Sequence, residues 1–434
     1  MDTSTWPAAA RAKLIDADGA AALVKSHDRV YLQGGCAAPH LLVHALVERY
    51  EELEGVEIVH LHTEGPADYT LPQMEGHLRH NALFIGANTR GAIRGGHADY
   101  TPVMLSEVPR LFETTLPLDV AFIHVTPPDR FGFCSLGISV DCAKPAALNA
   151  RLVIALANER MPRTLGDSFL HVSQIDHLVP ADAELIQVPT GPSVSEVIRR
   201  IGENVAALIE DGSTLQAGIG SIPNAVLANL GNHKHLGLHT EMFSDGVLDL
   251  IESGVIDNDA KTYHRGKAVT AFVMGTQRLY DFVDDNPMVE MHPVTFTNDP
   301  FHIAQNAKMV AINSAIEVDL TGQVCADSIG HEFYSGIGGQ LDFVRGASRS
   351  AGGKAIIALP STAAGGEVSR IVLELKPGAG VVTTRGDVQY IVTEYGVADL
   401  RGRTIRERAR SLIALAHPDH REQLTQRARE LHLT

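Results

Sequence analysis

Short apolar runs bounded by small and polar residues recur along this chain, and two of them open the same pattern. DRVYLQGGCAAPHLLVHAL begins at Asp28 and DGSTLQAGIGSIPNAVLANL at Asp211. Each reads as an aspartate turn, a short strand ending in Leu-Gln, a loop of small residues, a proline and an amphipathic helix ending in Leu. The second copy carries one extra loop residue. Downstream, VEIVHLHTE and HLGLHTE are apolar strands that both close on His-Thr-Glu, at His62-Thr63-Glu64 and His239-Thr240-Glu241. This repeated order of strand, loop, helix and strand predicts two related open α/β domains with mostly parallel sheets.

Between the copies, VPTGPSVSE (188–196) is rich in Pro, Gly and Ser. It marks a boundary and divides the chain into expected domains over 1–190 and 191–434. DVAFIHV (119–125), ARLVIALAN (150–158) and KAIIALP (354–360) read as further strands, and VVTTRGDVQYIVT (381–393) as a hairpin. TIRERARSLIAL and PDHREQLTQRARELH have apolar residues at helical spacing.

A length of 434 residues is too great for one ordinary core. The 36 Lys and Arg against 52 Asp and Glu leave a net charge of −16, which argues against broad nucleic-acid binding. An anionic ligand would need cations gathered locally. Cys36, Cys134, Cys142 and Cys325 form no CxxC pair and are expected to be reduced thiols, consistent with a cytoplasmic protein. The N-terminus lacks a basic start followed by an apolar run, so no secretion signal is expected. No run of about 18 apolar residues would span a membrane. The His60/His62 and His233/His235 pairs are weak metal signals, and no metal is expected.

Two glycine clusters carry candidate chemistry. LQAGIGSIP, holding Gln216, Gly218 and Gly220, resembles a dinucleotide loop. However, Pro223 stands where the small third residue belongs, which argues against a nicotinamide enzyme. In SGIGGQLDFVRGASRSAGGK, Gly336, Gly338 and Gly339 permit positive φ and close backbone approach, and their N–H groups could cradle an oxyanion. Arg345, Arg349 and Lys354 follow with no acid after Asp342, a local positive stretch that could contact phosphates. A strand-end glutamate, two such loops and these cations suit covalent carboxylate catalysis on an acyl group carrying phosphates. With an ordinary pKa of about 4.3, that carboxylate would be ionised at neutral pH and need no general base. An oxyanion-hole donor, typically worth ~3 kcal/mol, would offset its low nucleophilicity.

RHNALFIGANTRGAI, ADYTPVMLSEVPRLF, PPDRFGFCSLGISVDCAKPAA, MPRTLGDSFLHVSQID, LQAGIGSIPNAV, HTEMFSDGV, GIGGQLDFVRGA and TEYGVADLRGRTIRERA together resemble the acetyl-CoA hydrolase/transferase family over nearly the whole chain. Within it, the likeness is to 4-hydroxybutyrate and butyryl-CoA:acetate CoA-transferases. The resemblance implies a ping-pong CoA-transferase acting on acyl-CoA and short carboxylic acids. Its site would lie at the interdomain cleft, with no cofactor beyond the coenzyme A substrate, in a homodimer or higher homo-oligomer.

The family's catalytic glutamate falls on Glu241. Its GIGGQ loop falls on Gly336, Gly338, Gly339 and Gln340, as oxyanion hole and pantetheine contact. Gln216, Gly218 and Gly220 match the loop lining the acyl site, and Asn298 a site asparagine. Cys325 stands where similar proteins usually carry Asn, which bears on substrate shape. Glu64 is then the copy without the nucleophile, and Asp245 a turn residue. The competing readings are an acyl-CoA hydrolase with the same glutamate and a non-catalytic α/β ligand sensor.

Overall fold

The computed structural model describes residues 2–188, 195–218 and 220–434. Most of the expected boundary at 188–196 lies outside the described residues. The chain forms two compact units: Met1–Pro189 with Val269–Thr297, and Thr190–Ala268 with Asn298–Thr434. The segment Val269–Thr297 thus packs with the first half, although a single cut assigns it to the second. Its hydrogen bonds give the reason. Val140 and Asp141 N–H donate to Ala271 O, Val273 N–H to Ile138 O, and Asp167 N–H to Met291 O.

The first unit is built on seven parallel strands: β1 (Arg29–Leu32), β2 (Val56–His60), β3 (Leu78–Ala82), β4 (Ala98–Tyr100), β5 (Val120–Val125), β6 (Leu152–Asn158) and β7 (His177–Ala181). Their order across the sheet is β4-β3-β2-β1-β5-β6-β7. The central strands β5 and β6, VAFIHV and LVIALAN, are near-continuous apolar runs, as a parallel sheet buried on both faces requires. Val30, Leu32, Ile58, Phe122 and Ile154 are buried in a cluster with Leu42 and Leu46 of α1 (His40–Glu48).

The second unit has β8 (Thr214–Ala217), β9 (Gly237–Leu238), β10 (Met309–Ser314), β11 (Lys354–Ala358), β12 (Tyr390–Thr393) and β13 (Gly396–Asp399), in the order β9-β8-β10-β11-β12-β13. All neighbours are parallel except β12 and β13. Its helices include α2 (Glu196–Ala206), α3 (Ser221–Ala228), α4 (Asp245–Glu252), α5 (Gln340–Arg349), α6 (Ile405–Leu415) and α7 (Pro418–Glu430). Phe343 and Val344 of α5 and Leu412 of α6 share a core cluster with Ile357 and Ile391 of the sheet.

The duplication is visible in the topology. The run β2-β1-β5-β6-β7 of the first unit corresponds strand for strand to β9-β8-β10-β11-β12 of the second. Even a side-chain brace repeats: Gln33 Oε1 accepts from the His124 N–H of β5, and Gln216 Oε1 from the Ile312 N–H of β10, at 3.1 Å. The copies differ at their edges, where the first adds β3 and β4 and the second adds antiparallel β13.

One expectation is corrected. Residues 381–393 do not form a hairpin. Thr383 makes an isolated bridge to Val324, whereas β12 turns at Glu394 and Tyr395 into β13, so the hairpin lies over 390–399. Thr393 pairing with Gly396 closes it, and Gly396, at φ +135°, supplies a backbone conformation that L side chains rarely adopt.

Candidate active site

Glu241 lies three residues beyond the C-terminal end of β9 and just before α4. The turn that presents it is pinned by Thr240, whose buried hydroxyl donates to Ala217 O at 3.2 Å and Met242 O at 3.1 Å. The site therefore sits at the carboxyl edge of a parallel sheet, where α/β folds commonly place ligand chemistry.

The second half of the site comes from the loop before α5. Gly339 is the N-cap of that helix, and Gly338 adopts φ +57°. A Cβ on Gly339 would overlap Glu241 Oε2 and Asn298 Nδ2, so only glycine lets the loop lie directly against the carboxylate. Fully buried Asn298 donates from Nδ2 to Glu241 Oε2 at 2.7 Å. The structure thus brings together three of the residues expected from the sequence: Glu241, Asn298 and Gly339.

The electrostatics differ from the simple expectation. Glu241 keeps partial exposure as a residue, yet burial of its carboxyl pushes the pKa up to about 7. The Asn298 hydrogen bond opposes the rise, and the negative charge of Asp342, in the first turn of α5, adds to it. The group is not an ordinary carboxylate fully ionised at neutral pH. Asp342 was visible in the sequence only as an acid ahead of the cations; nothing local signals its influence on Glu241.

Other expected residues are placed differently. Gln216 is buried, and its Oε1 is committed to Ile312 N–H and to Asn313 Nδ2, both at 3.1 Å. Gln340 donates to Ser314 O at 2.8 Å and accepts from the Thr383 hydroxyl at 3.1 Å. Both glutamines brace the loops that carry the site. Gly218 has open space around its Cα, and Gly220, at φ +133°, is the N-cap of α3. Gly336 is buried in the loop before α5.

The three cations do not form one cluster. Arg345 pairs with Asp387 at 3.1 Å, and Arg349 is exposed in the last turn of α5. Lys354 opens β11 and donates to Glu210 Oε1 and Leu208 O, each at 2.7 Å. Because β8 to β12 are parallel, that position is at the amino edge of the sheet, opposite the edge carrying Glu241. The physical reason is the crossover from α5 into β11, which carries Lys354 back to the sheet's starting edge.

Glu64 stands in contrast. Its carboxylate meets His62 Nε2 at 3.1 Å, and this partner holds it below the usual carboxylate range. Cys325 is buried with its sulfur 3.1 Å from Ser328 O.

A duplicated α/β chain with a desolvated glutamate against a glycine loop is an arrangement suited to acyl chemistry. The comparisons with known proteins define it more closely. The acetyl-CoA hydrolase/transferase N-terminal domain matches residues 6–189, and the C-terminal domain of the same family matches 275–428. The chain belongs to the acetyl-CoA hydrolase/transferase family and is an enzyme of the CoA-transferase type.

It is 54% identical over 420 residues to a 4-hydroxybutyrate coenzyme A transferase of Clostridium kluyveri, covering 96% of this chain and 98% of that protein. It is 50% identical over 411 residues to a succinyl-CoA:acetate/propanoyl-CoA:succinate CoA transferase of Fasciola hepatica, covering 93% and 85%. Among solved structures, a 4-hydroxybutyrate CoA-transferase from Porphyromonas gingivalis superposes with a TM-score of 0.84 at 41% identity, covering 97% and 98%. Among the described residues, no helix is long and apolar enough to cross a membrane.

Proposed function

We propose that this enzyme moves CoA between short-chain carboxylic acids through covalent intermediates on Glu241. The observation that carries the reading is the packing of the Glu241 carboxyl against Gly339 and Asn298. A largely desolvated carboxylate lying against a glycine loop, whose backbone N–H groups could serve as oxyanion donors, suits both requirements of thioester attack, a nucleophile and an oxyanion stabiliser.

In the first step a Glu241 oxygen attacks the thioester carbonyl, the C–S bond breaks, and CoA leaves as thiolate. The product is an acyl-glutamyl anhydride. The thiolate then attacks the glutamyl Cδ, forming the glutamyl-CoA thioester and releasing the first acid, which departs with one glutamyl oxygen. A second carboxylate attacks the glutamyl thioester and reverses the sequence, leaving as the new acyl-CoA with Glu241 restored.

Asn298 Nδ2, already on Oε2, orients the carboxylate. Gly338 and Gly339 offer backbone N–H groups to the developing oxyanion. Gly218 and Gly220 leave room for the acyl chain, while Gln216 and Gln340 hold these loops in register. Arg345 and Arg349, on the helix that begins beside Glu241, retain the proposed phosphate role; Lys354, at the other edge of the sheet, does not.

The short-chain acids follow from the names of the relatives: 4-hydroxybutyrate, acetate, propionate and succinate are the acids those proteins are named for. The test is release of CoA from acetyl-CoA by purified enzyme, with and without butyrate. Acceptor-dependent formation of butyryl-CoA is expected. Release of free CoA at the same rate without acceptor would make the protein a hydrolase instead.

A further inference from the structure

The two copies of the His-Thr-Glu turn treat one backbone carbonyl alike by different means. In the first unit, β2 lies inside the sheet between β1 and β3. Leu61 O, three residues before Glu64, accepts a hydrogen bond from the ring Nδ1 of the preceding residue, His60, at 2.7 Å. In the second unit, β9 is an edge strand only two residues long; Leu236 just before it still bridges to Ile256 on the outer side, but β9 itself pairs with β8 alone. The position of His60 is taken by Gly237 and that of Leu61 by Leu238.

Into the space that Gly237 leaves comes Lys261. A Cβ on Gly237 would overlap Lys261 Cγ and lie 2.9 Å from its Cδ. The lysine is 3% exposed, and its ammonium donates to Leu238 O at 2.8 Å and Lys267 O at 2.7 Å. On the same edge, Asn258 Oδ1 accepts from Leu238 N–H at 2.9 Å. Asn258 is fully buried and holds φ +61°, a costly conformation for a non-glycine residue. Leu238 therefore has both outward backbone groups occupied by side chains, as a neighbouring strand would occupy them.

We infer that Lys261 and Asn258 are positioning residues for the reaction, acting as a side-chain substitute for the missing strand and fixing β9 so that Glu241 is held at attack distance. The inference rests on Glu241 being the nucleophile. Holding a reacting group to within a fraction of an ångström is where such supports act, since a 1 Å misplacement costs ~100-fold in rate. Both reach Leu238, and through it the three residues that lead to Glu241.

The test uses the full chain incubated with acetyl-CoA and no acceptor. Covalent CoA per chain counts functional sites, and the rate of adduct formation measures the positioning of Glu241. In Lys261→Met, adduct stoichiometry is expected to stay near that of the wild type while its rate, and kcat with it, falls at least ~10-fold; KM for acyl-CoA should change less than ~2-fold. Asn258→Gly keeps the backbone conformation but removes the acceptor, and carries the same expectation should the lysine variant not fold. Gly237→Ala, which crowds Lys261 Cγ and Cδ, should slow wild-type enzyme but add nothing to Lys261→Ala, where those atoms and the ammonium are both gone.

A purely structural role would lower adduct stoichiometry or melting temperature and leave the rate per functional site unchanged. That result overturns the inference, as would full additivity of Gly237→Ala with Lys261→Ala. Absence of an adduct on wild-type Glu241 would instead sink the assignment of the nucleophile itself.

Discussion

The chain carries the same three residues, His-Thr-Glu, at the same place in two copies of one topology, yet the two glutamates are opposite in character. Glu64 faces His62 and is held more acidic than usual. Glu241 has an amide partner and a nearby carboxylate, and burial lifts its pKa to about 7. The strand before it differs as well, being an internal strand of five residues in the first copy and an edge strand of two in the second. The backbone framework was copied, and reactivity was assigned by what surrounds the carboxylate. On the proposed reading, desolvation and a glycine loop, and not the residue triplet alone, single out the nucleophile.

The sharpest way to break this comparison is truncation. Glu241→Ala is expected to reduce transfer by at least ~1,000-fold with folding intact, whereas Glu64→Ala should keep at least part of the activity. Initial rates of butyryl-CoA formation and a melting curve check both; the reverse ranking would mean that the halves have been assigned wrongly. Next in size is the loop. Gly339→Ala places a methyl against Glu241 and Asn298, and Gly338→Val strains a φ of +57°. Each should lower kcat by ~10–100-fold.

Smaller and more diagnostic is the pH dependence. In the proposed mechanism Glu241 attacks in its ionised form, so kcat/KM is expected to rise through about pH 7 and level off above it. Asn298→Ala removes the hydrogen bond that favours the charged form, so this limb should move to higher pH. A limb left in place would show that Asn298 does not tune the carboxylate.

Stability should show the same contrast with opposite signs. A pKa raised from the usual 4.5 to about 7 means protonated Glu241 is favoured in the folded state. That stabilisation is complete below pH 4.5 and is lost as pH rises through 7. Glu241→Gln should therefore stabilise the protein at pH 8, by at most about 3 kcal/mol, and have little effect at pH 4.5. Glu64 is depressed, so its contribution is present above pH 4.5 and lost as pH falls through its lower folded value. As a partly exposed pair, it is worth no more than ~1 kcal/mol, and Glu64→Gln should cost no more than that in urea unfolding at pH 6.

Much of this was legible in the residues because the duplication is written in them. The matching Leu-Gln strand ends, glycine loops and His-Thr-Glu closures gave the parallel sheets and the order of elements, and the second copy pointed to Glu241. Hidden features depended on contacts between distant positions. The apparent cluster of three cations split because Lys354 answers Glu210, an acid 144 residues away, while Arg345 pairs with Asp387, 42 residues on. Residues 381–393 alternate like a hairpin, but the strand inside them pairs forward with Gly396–Asp399. Lys261 and Asn258 carry no local signature. Gly237, standing where the first copy has His60, is their one trace in the sequence, and it gains meaning once Lys261 is seen in the space it leaves.

Mass spectrometry of the intact enzyme after acyl-CoA is added without acceptor, followed by peptide mapping, puts the central claim to the most direct test. One CoA per chain, joined as a thioester in the peptide containing Glu241 and absent from Glu241→Ala, is the expected result. An unmodified enzyme that still exchanges acyl groups, or an adduct on any other residue, would contradict it.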